Sequence, residues 1–236
     1  MNIHFIYISL FIVSLLIFIY IQKKSVKIIE SFDNFKKCDY DHMVLNKTQL
    51  NDTKELLLKF IEFTEERKMP YFAIGGTLLG CIRNGGLLPF DDDIDVSIFD
   101  EDEHHVINYK DDKYYFEKQF FGYKFFKKNS TIFIDVMVLE NKNNRYNIVN
   151  NSWPEYYFEL NEIYPLQKKK FSGIYITIPL KYSDHLDRSY PNWKEKIKID
   201  CGHHKENDKC IYEINNIPQE FDIDYDNGKY KCYVNL

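Results

Sequence analysis

The sequence predicts a mixed α+β domain, a β-sheet flanked by helices, preceded by one N-terminal transmembrane helix. Three observations predict it. Short apolar runs at Tyr71–Ile74, Ile94–Phe99 and Ile132–Leu139 alternate with segments of helical period. Between the last two lies a hairpin signature, Tyr114–Gln119 and Tyr123–Lys127 split by Phe121-Gly122. Residues 3–21 are almost wholly apolar, close to the roughly 20 residues that span a bilayer.

In chain order, residues 3–21 read as an uncleaved membrane anchor. A cleaved signal peptide would carry a basic leading region and small residues at its cleavage site. This run has neither and ends in Gln22-Lys23-Lys24. Residues 22–50 carry mixed charge with no period and read as a stem. Asn51-Asp52-Thr53 offers caps for a helix, with Asp52 and Glu55 at capping-box spacing. Leu56, Leu57, Phe60, Ile61 and Thr64 form its apolar stripe, and Pro70 ends it. Tyr71–Ile74 is a buried strand, Thr77–Arg83 a short helix closed by Asn84-Gly85, and Ile94–Phe99 a strand. Residues 100–105 begin a helix or turn before the hairpin, and Ile132–Leu139 is the next strand. Arg145–Val149 and Tyr156–Leu160 are short strands or loop, Phe171–Ile178 alternates like one strand, and Tyr182–Arg188 is a short helix. The domain so predicted covers residues 51–200, and 201–236 is a polar extension with no clear pattern.

The chemistry concentrates in Tyr71–Val96, "YFAIGGTLLGCIRNGGLLPFDDDIDV". A strand–Gly–Gly–helix junction aims N–H groups and a helix dipole at an anion, so Gly75, Gly76 and Thr77 are candidate phosphate seats. Arg83 is either a phosphate contact or a solvated charge at a helix C-terminus. In an extended chain alternate residues share a side. Asp93 and Asp95 therefore converge, Asp92 points away, and Asp91 joins them only if the strand begins early. Clustered carboxylates repel, and an all-oxygen set suits Mg²⁺ or Mn²⁺. Asp135 stands in the apolar strand "IFIDVMVL", where an ionised carboxylate is costly unless paired or metal-bound.

"GGTLLGCIRNGGLLPFDDDIDV" closely resembles the signature of the LicD/fukutin family, within the nucleotidyltransferase-fold superfamily. The resemblance runs on through "FIDVMVL" to Tyr164–Trp193, with Phe90 where Trp is common and Pro191 where Gly is usual. It implies a nucleotidyltransferase-like mixed sheet. It also implies transfer of phosphocholine or a phospho-alditol from a CDP-linked donor, of CDP-choline or CDP-ribitol type, to a glycan, glycolipid or glycoprotein hydroxyl. Asp91, Asp93, Asp95 and Asp135 would hold the metal. Asp135 could also serve as base for the acceptor hydroxyl.

Other readings compete. A nucleotidyltransferase proper would use the same aspartates and move a nucleotide instead. A non-catalytic metal-binding membrane protein is the third. An EF-hand start at Asp91 puts Val96 where glycine is needed and Asp102 in place of the bidentate glutamate. Cys201 and Cys210 enclose His203 and His204, but no CxxC occurs among the five cysteines and the spacing fits no zinc template. A net charge of −5 argues against nucleic acid as a partner. Lys23, Lys24 and Lys27 follow the span and by the positive-inside rule keep the domain cytoplasmic. Sequons at Asn46, Asn51, Asn129 and Asn150 argue the other way, for a lumenal domain in the Golgi or ER of a eukaryote. The orientation stays open.

Overall fold

The computed structural model describes residues 45–83, 85–88, 91–194, 196–200, 211–215, 222–224 and 229–231. The expected anchor at 3–21, the stem up to residue 44, Asn84, Phe90, His203, His204 and every cysteine except Cys81 lie outside the described residues. Among the described residues no helix is long and apolar enough to cross a membrane.

The first helix, α1, is Lys47–Arg67. It starts within the segment read as stem. Asn46 caps it: its Oδ1 accepts from the Gln49 N–H at 3.0 Å, and Gln49 Oε1 accepts from the Asn46 N–H at 3.0 Å. Leu45 and Leu50 are buried, which selects this box over the Asp52–Glu55 one. Asp52 and Glu55 instead bind Lys127 Nζ at 2.5 and 2.8 Å. They tie α1 to the sheet rather than start it.

Strands β1 (Tyr71–Ala73), β2 (Ile94–Phe99), β3 (Tyr114–Gln119), β4 (Gly122–Lys127) and β5 (Phe133–Lys142) form a sheet in the order β1-β2-β5-β4-β3. Strand β6 (Arg145–Ile148) pairs with β5, and β7 (Phe158–Glu159) with β6. Only β2 and β5 run parallel in this seven-stranded sheet. Parallel neighbours need a crossover. Here the short helix α3 (Glu103–Ile107) and the β3–β4 hairpin provide it.

Strand parity divides the interior. Ile94, Val96 and Ile98 of β2 and Ile134, Val136 and Val138 of β5 join Leu56, Leu57, Phe60 and Phe63 of α1 in one core. On the opposite face Phe99, Met137 and Leu139 join Phe72, Ile74, Phe121, Ile148, Phe158 and Ile163 in a second. The second core stops short of Asp95 in β2 and Asp135 in β5, which carry carboxylates on that face.

Helix α2 is Gly75–Arg83, beginning two residues earlier than expected. Helix α4 is Leu160–Ile163 and α5 is Tyr182–Ser189. Phe171–Ile178 is not one strand. It belongs to the hairpin of β8 (Gln167–Phe171) and β9 (Ile174–Ile178). Ser172 and Gly173, at φ 48° and 84°, turn the chain between them, the two successive left-handed residues of a tight hairpin. Further along the chain, β10 (Lys196–Asp200) pairs with β11 (Ile211–Asn215), and β12 (Asp222–Asp224) with β13 (Lys229–Lys231).

Candidate active site

The antiparallel register sets Ala73 of β1 opposite Val96 of β2. The chain therefore leaves β1 beside Asp95, and the Ile74 N–H donates to the Asp95 carbonyl at 3.2 Å. Gly75 then turns at φ +58°. A Cβ on Gly75 would lie 2.7 Å from Asp95 Oδ2, and one on Gly76 2.4 Å from Asp91 Oδ2. Both positions lack a side chain because the carboxylates occupy that space.

The glycine junction grips a carboxylate of the protein itself. The Gly76 N–H donates to Asp95 Oδ2 at 2.9 Å. Thr77 is buried, and its Oγ1 accepts from the Asp95 N–H at 2.7 Å. The Gly76 N–H and the Thr77 Oγ1, expected to help seat a phosphate, bond Asp95.

Asp91, Asp93 and Asp95 each present a carboxylate oxygen, and these oxygens all lie within 4.8 Å of one another. Asp93 is buried, while Asp91 and Asp95 are half-buried. Strand β2 begins at Ile94, yet the alternation extends back to Asp91 and excludes Asp92 from the group. Burial, with Asp93 and Asp95 adding repulsion, lifts the Asp91 carboxyl well above the usual carboxylate range. Burial, then Asp93, then Asp135 do the same to Asp95, against the pull of the Gly76 and Thr77 backbone N–H groups.

Asp135 lies in register with Asp95 across the parallel pair and opposite Lys124 of β4. Its strand is interior to the sheet, between β2 and β4. It stands outside the group of three converging oxygens. Its Oδ1 is 3.0 Å from Lys124 Nζ. That ammonium also sits 3.3 Å from the centroid of the Phe133 ring. A row of Asp95, Asp135 and Lys124 thus crosses three adjacent strands on the face that carries Met137 and Leu139 further along.

The donor set fits a hard divalent cation. It is all oxygen, convergent, and internally repulsive without positive charge among its members. Asp91, Asp93 and Asp95 could hold it, with Asp135 alongside in register with Asp95.

Arg83 is not a solvated charge. It is half-buried at the end of α2, its Nη1 is 3.5 Å from the Trp193 carbonyl, and burial draws its guanidinium down to about 10. It remains cationic at neutral pH and joins α2 to the segment at 190–193.

Lys124, Tyr156 and Tyr190 were not foreseen as site residues. The hydroxyls of Tyr156 and Tyr190 are 2.5 Å apart. Burial raises the pKa of both phenols, and the charges of Asp95 and Asp91 raise them further. Helix α5 holds this pair in place. Arg188 donates to Glu162 at 2.8 and 2.6 Å and to the Tyr157 carbonyl at 2.9 Å. The Tyr190 N–H closes the helix on the Leu186 carbonyl at 2.8 Å. The only trace of this in the sequence is the placement of Tyr190 within the last block of family resemblance. Lys124 and Tyr156 sit in unremarkable alternating segments.

Residues 68–181 match the family model described as LicD/FKTN/FKRP, nucleotidyltransferase domain. Similar curated proteins include an uncharacterized protein of Rickettsia prowazekii (strain Madrid E), 32% identical over 161 residues, which are 65% of this chain and 57% of that protein. Another is an uncharacterized protein of Rickettsia typhi (strain ATCC VR-144 / Wilmington), 32% identical over 162 residues, 65% of this chain and 48% of that protein. The chain thus spans about half the length of these curated relatives. Among solved structures, the crystal structure of ANT(2")-Ia in complex with adenylyl-2"-tobramycin is similar at TM-score 0.38 and 17% identity, covering 53% of this chain and 67% of that one.

Proposed function

From a chain whose residues 68–181 are a domain of the LicD family, we propose a metal-dependent phosphotransferase. It moves a phosphocholine or phospho-alditol group from a CDP-linked donor to a glycan hydroxyl and releases CMP. The observation that carries this reading is the convergence of Asp91, Asp93 and Asp95 within 4.8 Å, with Asp135 in register beside Asp95.

Asp91, Asp93 and Asp95 would hold Mg²⁺ or Mn²⁺. When bound, the cation screens phosphoryl charge and supports an in-line displacement. The Gly76 N–H holds Asp95 Oδ2 at the start of α2, and Oδ1 would serve the cation. Asp135, paired with Lys124, would take the proton of the acceptor hydroxyl. Arg83, a half-buried cation bonded to the Trp193 carbonyl, is a candidate contact for the donor phosphates. The acceptor, whether glycolipid or glycoprotein, would be met at a membrane to which residues 3–21 tether the domain.

The test is a donor screen on the soluble portion with Mg²⁺, using CDP-choline, CDP-ribitol and the four NTPs. CMP release from a CDP donor, lost in Asp93→Ala, is the expected result. Pyrophosphate from an NTP would replace this reading with nucleotidyl transfer. Micromolar Ca²⁺ affinity without turnover would replace it with a binding role.

A further inference from the structure

We propose that Phe120, Trp153 and Tyr156 form a carbohydrate-binding platform that leads a neutral glycan acceptor to the carboxylate cluster. The inference rests on the glycan-acceptor reading above and adds where that acceptor lies.

The platform is a connected row of rings. Phe120 and Phe121 lie with their centroids 5.8 and 5.6 Å from that of Trp153. Trp153 is 6.4 Å from Tyr156, and Tyr156 is 5.8 Å from Tyr190. One end is open to solvent: Phe120 is 63% exposed and Trp153 39%. The other end is the half-buried hydroxyl pair of Tyr156 and Tyr190, whose phenols feel the charges of Asp95 and Asp91. Tyr156 and Phe121 pack against the core that holds Met137, two residues along the same strand face from Asp135. The row and the carboxylates therefore share one side of the sheet.

The backbone is specialised where the row surfaces. Asn150, Asn151 and Trp153 have φ of 60°, 53° and 47°. A bulky residue rarely adopts that left-handed conformation, and such outliers cluster at ligand sites. Asn150 Nδ2 donates to the Phe120 carbonyl at 2.6 Å, joining the β3–β4 turn to this loop.

Chemistry selects the occupant. The two segments that build the platform, 119–123 and 150–156, contain no lysine or arginine. Glu155 is exposed beside the rings. The cations that flank these segments are engaged by carboxylates, Lys118 by Glu103, Lys124 by Asp135, Arg145 by Glu159 and Arg188 by Glu162, so the exposed rings offer an anion little counter-charge. Neighbouring rings already pack on one another, so what they offer is an open face rather than a slot for a base. The electron-rich face of an aromatic ring suits the C–H face of a sugar, and the exposed Asn151 amide supplies neutral donors and acceptors for hydroxyls.

The experiment probes a printed glycan array with the full chain in detergent, without donor or metal, and compares Trp153→Ala, Phe120→Ser and Trp153→Phe. Wild type and Trp153→Phe should bind one group of glycans, and the other two variants should bind it at least ten-fold more weakly. CMP binding by calorimetry should be unchanged in all four proteins. Absence of glycan binding by wild type, or full binding by both weakened variants, overturns the platform. So does loss of CMP binding in Trp153→Ala, which would assign the rings to the nucleotide. These outcomes are independent of turnover. A chain that binds glycans through Trp153 but releases no CMP from any donor keeps the platform and loses the transfer reading.

Discussion

At the scale of single residues, the site is a balance of repulsion and restraint. Asp91, Asp93 and Asp95 oppose one another within 4.8 Å. Asp93→Asn removes one charge from that group. In EDTA it should raise stability by about 1 kcal/mol, seen as a higher urea midpoint, while abolishing CMP release. A drop in stability would mean that the carboxylates are not in conflict. Gly76→Ala tests the opposite term. Its methyl would meet Asp91 Oδ2 at 2.4 Å, so the carboxylate must move. Activity should fall at least ten-fold, with apparent Mg²⁺ affinity weakened in parallel. An active Gly76→Ala enzyme would show that Asp91 has no part in holding the ion.

Among the elements, α5 is the one whose residues act on the site through others. His185 is fully buried and stacks on Phe158 with centroids 4.1 Å apart. Its Nδ1 lies 3.2 Å from the Tyr157 carbonyl. Burial pushes its imidazole down from 6.5 to about 4. The folded state therefore excludes a proton that the unfolded chain binds below pH 6.5. Stability should fall as pH drops from 6.5 to about 4, by up to about 3 kcal/mol. His185→Gln should flatten that slope in a series of thermal melts. Persistence of the full slope would place the acid sensitivity elsewhere. Glu55, drawn down to about 2 chiefly by the ammoniums of Lys113 and Lys127, with Tyr114 also donating, contributes in a lower window. Its share is complete above 4.5 and lost as pH falls toward 2.

For the molecule as a whole, one sheet face changes from carboxylates at Asp95 and Asp135 to apolar side chains at Phe99, Met137 and Leu139, and the site occupies the carboxylate end. A cation bound there couples to folding, because the unfolded chain does not hold three carboxylates together. Mg²⁺ at a hundred times its dissociation constant should stabilise the domain by about 2.7 kcal/mol. Thermal melts with and without EDTA would measure it. An unchanged midpoint at saturating Mg²⁺ would argue against a resident cation.

The sequence by itself determined the elements and the identity of the central carboxylates. Local period and glycine placement were enough for α2, β2, the β3–β4 hairpin and β5. Two-residue alternation selected Asp93 and Asp95 and set Asp92 aside. Its limits were equally physical. Two capping boxes six residues apart compete for one helix start, and only the burial of Leu45 and Leu50 chooses between them. Ser172-Gly173 reads as part of an alternating strand until the backbone turns there. Tertiary structure alone decided that Asp91 joins the cluster, that Gly76 and Thr77 grip Asp95, and that Asp135 meets Lys124. It alone joined the hydroxyls of Tyr156 and Tyr190, within the field of Asp91 and Asp95. Those outcomes depend on strand order and register, which bring together residues far apart in the chain, and no local pattern encodes them.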